Sequence, residues 1–435
     1  MSLKNSKIFL ASFLVIPLFF TGLFAGISPC KEKPPAPITL EFWGVFEDSD
    51  AYSSLIAQFK QVYPHIAINY YKKNIATYEQ DLLNALAAGR GPDIFSIHNT
   101  WLPKYSDKLF PAPEGMLTSA EYASVFVDVA SQDFVEQGKI YAFPFYVDTL
   151  ALFYNKDIFN GAGIALPPAT WEEVNAAAES LTKKDLDGNI SQSGIALGAS
   201  KNVNRCTDIL SLLMIQSGAK MISDDKTSAA FAGSVYLDGE NFYPASRALN
   251  FYTNFANPKK KVYSWNSSQH YSIDAFSEGK AAMMINYSYQ IPALRAKAAT
   301  LRFGVAGLPQ ISANASNAAN YANYWGQGVS KGSLNANAAW QFLGWMSQKE
   351  NMKTFLGQIK KPTSRRDLIE WQKADPDLGI FAIQTLSARS WRQADNIQIE
   401  KIFANMIDQA LSDPSRIDEI VRQANQEVTI LMQGR

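Results

Sequence analysis

The stretch "IYAFPFYVDTLALFYNKD" (residues 140–157) decides the fold. It is mostly apolar and reads as extended, yet it is longer than one ordinary strand. Pro144 lies inside it and cannot donate to a sheet ladder, so the run has to be broken. We read it as two strands joined near Val147–Asp148, carrying the chain from one lobe to the next.

Upstream, strand and helix signals alternate. "ITLEFW" (38–43), "HIAINYY" (65–71) and "GPDIFSI" (91–97) read as strands. Asp48 or Ser49 can cap a helix with Tyr52, Leu55, Ile56, Phe59 and Val62 on one face. Thr77-Tyr78-Glu79-Gln80 has the capping-box pattern and opens a helix with Leu82, Leu83 and Leu86 inward. Repeats of this kind build a parallel sheet covered by helices. Downstream, Thr170-Trp171-Glu172-Glu173 is a second capping box. "SGIALG" (193–198), "AAMMINYSY" (281–289) and "RFGVAGLP" (302–309) read as strands, and residues 311–323 as a loop. From Asn335 onward helices dominate, with Ala338, Phe342 and Met346 in one stripe.

The chain has 435 residues, enough for two or three domains with sizeable cores. Lys plus Arg and Asp plus Glu balance at 40 each, which argues against a nucleic-acid partner and suits an uncharged polar ligand. Two cysteines, Cys30 and Cys206, are too few for a disulfide framework or a structural zinc site. Cys206 reads as a small buried hydrophobe. Lys4 and Lys7 precede an uncharged apolar run from Ile8 to Ile27, the pattern of an export signal or membrane anchor over residues 1–30. Gly26-Ile27-Ser28-Pro29-Cys30 resembles a lipobox, although Pro29 stands where a small Gly or Ala is usual. "KEKPPAP" (31–37) reads as an extended tether. Lipid-anchored, helix-anchored and secreted or periplasmic forms all place the folded part outside the cytoplasm.

Motifs for chemistry are weak. Gly328-Val329-Ser330-Lys331-Gly332 matches the G-x-S-x-G nucleophile elbow, but His65, His98 and His270 all precede it, against the order that elbow requires. No Walker A, G-x-G-x-x-G or H-E-x-x-H sequence occurs, and no cofactor or metal is expected. Lys184 to Asn189 clusters oxygen ligands but lacks the closing Glu of a calcium loop, so it reads as a hairpin turn. Glu47, Asp48, Asp50 and Asp148 could in principle pair for glycoside hydrolysis. Aromatics are abundant: 9 Trp, 19 Tyr and 26 Phe. Those at strand ends or in polar loops are Trp43, Trp101, Trp265, Tyr287, Tyr289, Tyr324 and Trp325. Flat rings beyond the carboxyl ends of strands can cover a sugar face while carboxylates and amides hold its hydroxyls.

"GPDIFSIHNTWLPKYSDKLF" (91–110), "GKIYAFPFYVDTLALFYNKDIF" (138–159) and "TWEEV" (170–174) resemble the extracellular solute-binding proteins of ABC transporters, in their maltodextrin- and sugar-binding branch. "AFSEGKAAMMIN" (275–286), "YWGQGVSKGSLNANAAWQFLGWM" (324–346) and "KKPTSRRDL" (360–368) are similar to later segments of that branch. The resemblance covers most of residues 38–370 and implies an α/β, two-lobed periplasmic-binding-protein fold of type II with three hinge crossings. These would fall near Val147–Asp148, Gly304–Ala306 and Gly326–Gly328. The implied lobes are 38–147 plus 306–326 and 148–305 plus 327–435. The implied function is binding a sugar or oligosaccharide by lobe closure and delivering it to a transmembrane permease, as a monomer and without catalysis. Carried over position by position, the implied ligand residues are Trp43, Glu47, Asn99, Trp101, Asp148, Trp265, Tyr289, Trp325 and Arg365. The alternatives are a secreted carbohydrate-active enzyme and a surface adhesion or sensing protein on the same scaffold.

Overall fold

The computed structural model describes residues 35–237, 239–312 and 318–434. The expected export segment, Cys30 and the first part of the tether lie outside the described residues, as does part of the loop expected at 311–323.

Three strands, β1 (Ile38–Gly44), β2 (Ile66–Lys72) and β3 (Ile94–His98), run parallel in the order β2-β1-β3. Helices α1 (Ser49–Val62) and α2 (Tyr78–Ala87) make the two crossovers. The face expected for α1 forms: Tyr52, Leu55 and Phe59 are buried and Ile56 is half-buried, while Val62 at the helix end is exposed. The strand Trp325–Ser330 returns antiparallel beside β3, with Trp325 opposite His98 and Val329 opposite Ile94. Its outer edge pairs with Leu109–Phe110 and Ala142–Pro144. Pro144 thus sits on a short edge strand, where its missing N–H costs no ladder bond.

Capping follows the sequence at one helix and departs from it at another. Thr170 and Glu173 close a full capping box. Thr77 does not: its hydroxyl donates to Asp81 Oδ2 at 2.7 Å and leaves the helix end alone. Asp48 is at the N-cap position of α1 without a capping bond, because its carboxylate pairs with Lys72 at 2.8 Å.

The second sheet is antiparallel. Ala151–Asn155 lies between Met283–Asn286 and Phe303–Ala306. Residues 193–198, expected as a strand, make one bridge only, Ser193 to Ala281. A Cβ on Gly194 would lie 2.4 Å from Ala178 O, so helix and chain are closer here than a regular strand allows. The helix Cys206–Gln216 is buried nearly all round, and Cys206 packs in it as a free, buried thiol. Lys183–Lys184 and Ile190–Gln192 pair across the expected hairpin turn.

Two hydrophobic cores result. One holds Leu40 to Val147 and Ala322 to Ile369; the other holds Leu150 to Leu308 and most buried residues from Phe381 onward. This differs from the expected boundaries. The helices Ala336–Met346 and Lys349–Ile359, expected in the second lobe, bury Trp340, Phe342 and Phe355 in the first core. Residues 306–321, expected in the first lobe, keep Leu308 and Tyr321 with the second.

A three-stranded ribbon, Asp148–Thr149, Asn320–Asn323 and Ala388–Arg389, lies between the cores. The chain crosses along its first two strands, crosses again between Ile369 and Phe381, and touches the first core once more at Ala388 before Trp391 returns it to the second. The first crossing is where the opening stretch of sequence puts it. The other two are not at Gly304–Ala306 and Gly326–Gly328. Phe303–Ala306 is wholly within the second sheet, and Trp325–Ser330 wholly within the first. The glycines of the latter serve close packing. A Cβ on Gly326 would come within 2.7 Å of the Phe134 ring, and one on Gly328 within 2.6 Å of Leu109 Cδ2. Among the described residues no helix is long and apolar enough to cross a membrane.

Candidate binding site between the lobes

The carboxyl ends of β1 and β3 and the start of the Trp325–Ser330 strand open on the same side, above the ribbon. On the first lobe, Trp101 stacks on Tyr105 at 5.0 Å and on Tyr78 at 6.2 Å between ring centroids. Trp325 sets its edge against Trp101 at 5.0 Å, His98 at 5.3 Å and Phe46 at 5.7 Å. Trp325 is 8% exposed and Phe46 43%, so Phe46 presents the open face of this aromatic wall. Burial lowers the His98 pKa to about 4 and keeps the ring neutral. His98 Nδ1 is 2.8 Å from Thr100 Oγ1, and Nε2 is 3.3 Å from Asn323 Oδ1 on the ribbon.

The second lobe answers with the start of the helix Cys206–Gln216. Arg205 precedes it in a left-handed conformation, φ 60°, which non-glycine residues seldom adopt. Its guanidinium pairs with Asp208 and lies 5.5 Å over the Tyr287 ring. Tyr287 in turn donates to Asp208 Oδ2 at 2.6 Å. His98, Asn99 and Thr100 face Arg205, Asp208, Asn396 and Glu400 across a residual space of about 20 Å³. That is room for about one water, so the lobes have to part to admit a larger solute.

At the Asp148 edge of the ribbon the second lobe presents Tyr289, 40% exposed and stacked on Tyr287 at 5.7 Å. Burial raises its hydroxyl pKa to about 12, so it stays a neutral donor. Asp148 is buried and receives bonds from Thr149 N (2.9 Å), Ser288 N (3.1 Å) and Ser288 Oγ (2.7 Å). Burial raises its pKa, partly offset by the nearby Lys361 ammonium. Its oxygens fasten the first crossing to the second lobe. Glu47 lines a hollow of about 550 Å³ with Phe46 and Lys361. Burial raises the Glu47 pKa too, and Lys361 again opposes the shift.

At the other edge, residues 390–396 form a strap from the ribbon to the helix Asn396–Ser412 of the second core. The strap is bound to the first lobe. Gln132 Nε2 donates to Ser390 O at 2.9 Å, Arg392 pairs with Glu136 at 2.7 Å, and Lys104 pairs with Asp395 at 3.1 Å. Trp101 Nε1 donates to Asn396 Oδ1 at 3.0 Å. Asp133 accepts from Ser390 Oγ, from Tyr324 OH at 2.8 Å and from Asn99 Nδ2 at 3.0 Å.

Of the expected residues, Asn99 lines the small space between the lobes and Glu47 the hollow beside Phe46 and Lys361, while Trp101, Asp148 and Trp325 are buried around the ribbon and Tyr289 is exposed at its Asp148 edge. Trp43 is half-buried on β1 against the first core and carries Lys73 Nζ at 3.7 Å over its ring. Two expected residues are elsewhere. Trp265 is fully buried in the second core, its Nε1 donating to Asn202 Oδ1 at 2.9 Å, because the loop around it folds inward against Phe255 and Ile195. Arg365 binds Asp367 and, through Nη1 at 2.7 Å, the carbonyl of Ser347 at a helix end. It holds its loop to the first lobe. His98, Arg205 and Asp208 also line the space between the lobes and Lys361 the hollow beside Glu47, and none of them was among the expected residues. The loop of Lys361 was singled out, but at the wrong position within it. Arg205-x-x-Asp208 is a helix-start ion pair that no sequence pattern marks as facing a gap.

Ser330, the elbow candidate, is at the opposite end of its strand from Trp325. Six residues at about 3.3 Å each put it well away from the gap. Its Oγ accepts from Gly332 N at 3.2 Å and has no histidine partner among the described residues. Among the described residues no group of three or more His, Cys, Asp or Glu side chains is placed to hold a metal ion.

Two α/β lobes on a three-stranded hinge, with side chains of both lobes meeting in the gap, define a two-lobed solute-binding protein of periplasmic type. The chain belongs to the bacterial extracellular solute-binding protein family, whose sequence pattern matches residues 43–353. A maltotriose-binding protein of Pyrococcus abyssi is 23% identical over 400 residues, covering 88% of this chain and 80% of the relative. The cyclic α-maltosyl-1,6-maltose binding protein of Arthrobacter globiformis shares the fold with a TM-score of 0.74 at 19% identity, over 92% of this chain and all of that one. The sugar-binding protein MalE of Xanthomonas citri does so with a TM-score of 0.73 at 21% identity, over 91% and 98% of the two chains.

Proposed function

We propose that this protein captures an uncharged sugar or oligosaccharide outside the cytoplasm and delivers it to the membrane permease of an ABC transporter. Ligand enters the parted lobes, settles on one, and is enclosed when the other closes. The observation that carries this reading is the gap itself. Tyr289 supplies an open ring face, and Phe46 another at the rim, while Glu47 and Asn99 supply groups that bind hydroxyls. The sugar-binding relatives support the ligand class. Membership of the family supports the permease partner and the extracytoplasmic location. Anchoring through residues 1–30, with Cys30 as the acylation candidate, is part of the same proposal, as is action as a monomer.

Binding without turnover is favoured over hydrolysis by the state of the carboxylates. Asp148 is engaged with Ser288 and Thr149, and Asp48 with Lys72, so neither stands ready to pair with Glu47 as the second carboxylate of a hydrolase. The test is titration of the soluble chain from about residue 33 with maltotriose, maltotetraose, mannobiose and tagatose, read by calorimetry and tryptophan fluorescence. Binding stabilises by about 2.7 kcal/mol at a hundredfold excess over Kd, so a rise in Tm is also expected. Heat and fluorescence unchanged across all four sugars would remove the sugar assignment. Appearance of shorter sugars in the mixture would restore the enzyme reading.

A further inference from the structure

Lys361 lies in the loop 360–368 that the resemblance marks, but the residue carried over from that loop was Arg365. Lys361 follows Lys360, which ends a helix in the left-handed conformation, φ 52°. The next residues are tied to the first crossing: Val147 N donates to Pro362 O at 3.1 Å, and Thr363 bridges Tyr146. Gln372 Nε2 donates to Lys361 O at 2.7 Å. The backbone of Lys361 is therefore held rigidly at the Asp148 edge of the hinge.

Its ammonium is held differently. Nζ lies 5.7 Å from the ring centroid of Tyr146, in the first core, and 5.5 Å from that of Tyr289, in the second lobe. Glu47 and Asp148 both feel its charge. Yet among the described residues it forms no ion pair within 4.0 Å. A half-buried cation between two lobes, flanked by carboxylates but bonded to none, retains its hydrogen-bond donors. Lys361 and Glu47 line the same hollow, and Tyr289 offers an exposed ring nearby.

We infer that Lys361, Glu47 and Tyr289 form a subsite for one ring of a polyhydroxylated ligand, with Lys361 as its specificity-determining donor. The ring's C–H face lies on Tyr289. One hydroxyl accepts from Lys361 Nζ, and a neighbouring hydroxyl donates to Glu47. The inference rests on the sugar reading given above. It adds that the ligand must carry two adjacent hydroxyls. It also adds that Lys361 reaches the ligand from the first lobe while Tyr289 reaches it from the second, so this contact is completed by closure.

The test compares the wild type with Lys361→Met, which keeps the length of the side chain and removes its charge, and with Lys361→Arg. The probe is whichever of maltotriose, maltotetraose, mannobiose and tagatose binds the wild type. A hydrogen bond from a charged donor corresponds to roughly a 10–100-fold change in Kd, which is the loss expected for Lys361→Met. Lys361→Arg is expected to recover part of it. The matching 2- or 3-deoxy derivative of the bound sugar should weaken wild-type binding and leave Lys361→Met binding nearly unchanged. Unchanged Kd in Lys361→Met, with the wild type binding normally, overturns the inference and leaves the sugar reading standing. If the wild type binds none of the probes, the sugar reading fails and takes this subsite with it. The apo variant should melt within a few degrees of the wild type, since the side chain forms no ion pair; a collapse in Tm would assign the residue to the scaffold instead.

Discussion

Replacing Asp133 by Asn should change how stability depends on pH. Asp133 is buried where the strap at 390–396 meets the first lobe, and it accepts hydrogen bonds from Ser390, Tyr324 and Asn99. Burial pushes its pKa from 3.8 up to about 6, with the three hydrogen bonds opposing the shift. The folded chain therefore holds this proton more tightly than the unfolded chain does. Well below pH 3.8 the group is protonated in both states and costs nothing. As pH rises through the window from about 4 to 6, only the unfolded state gives up the proton readily, and stability falls. Above pH 6 the full cost is present. A displacement of about two pH units, at about 1.4 kcal/mol each, gives about 3 kcal/mol. Asparagine does not titrate. The stability of the wild type minus that of Asp133→Asn should therefore drop by about 2.4 kcal/mol between pH 4 and pH 7, the rest being lost below pH 4. Urea unfolding followed by tryptophan fluorescence at pH 4, 5, 6 and 7 measures it, and subtracting the variant cancels every other titrating group. A difference constant to within about 1 kcal/mol, or one that grows with pH, would refute the reasoning.

Other substitutions separate site from scaffold. Trp325→Ala removes a ring that touches Trp101, His98 and Phe46; it should cost about 3–5 kcal/mol of stability and weaken sugar binding, and an unaltered Kd would take Trp325 out of the site. Arg365→Ala should lose about 1–3 kcal/mol in urea titration while leaving the Kd within twofold, because its partners are Ser347 and Asp367. Gly326→Ala drives a methyl into the Phe134 ring at 2.7 Å and should lower stability by about 1–3 kcal/mol; a neutral effect on urea midpoint would show that the strand can shift to make room.

Local pattern carried the fold a long way. Apolar spacing located α1 and the Ala338-Phe342-Met346 stripe, and the broken apolar run at 140–157 located the first crossing. These signals are periodic, and period survives without knowledge of neighbours. Allocation to a lobe does not, since it depends on which core a helix meets after the chain has returned. The helices from Ala336 to Ile359 were misallocated for that reason. Thr77 shows the same limit at short range: the hydroxyl had two partners in reach and took Asp81. Among the proposed site residues, Trp325 and Tyr289 were read as aromatics beside strand ends, and Trp325 begins a strand while Tyr289 follows the strand Met283–Asn286. Trp265 had the same flanking chemistry, with Asn and Ser around it, yet its indole turns inward to Asn202. Lys361 and Arg365 share one loop. Composition alone could not tell which of the two cations bonds a helix end and which stands over two rings.

The strap at 390–396 has a mechanical consequence. It fastens the leading end of a second-core helix to the first lobe at one margin of the ribbon, while Tyr289 and Lys361 stand at the opposite margin, two strand spacings or about 10 Å away. A door hung along one jamb sweeps its widest arc at the latch side. As long as the strap holds, parting of the lobes is expected to widen the mouth most beside Tyr289, which makes that side the expected entry for a solute.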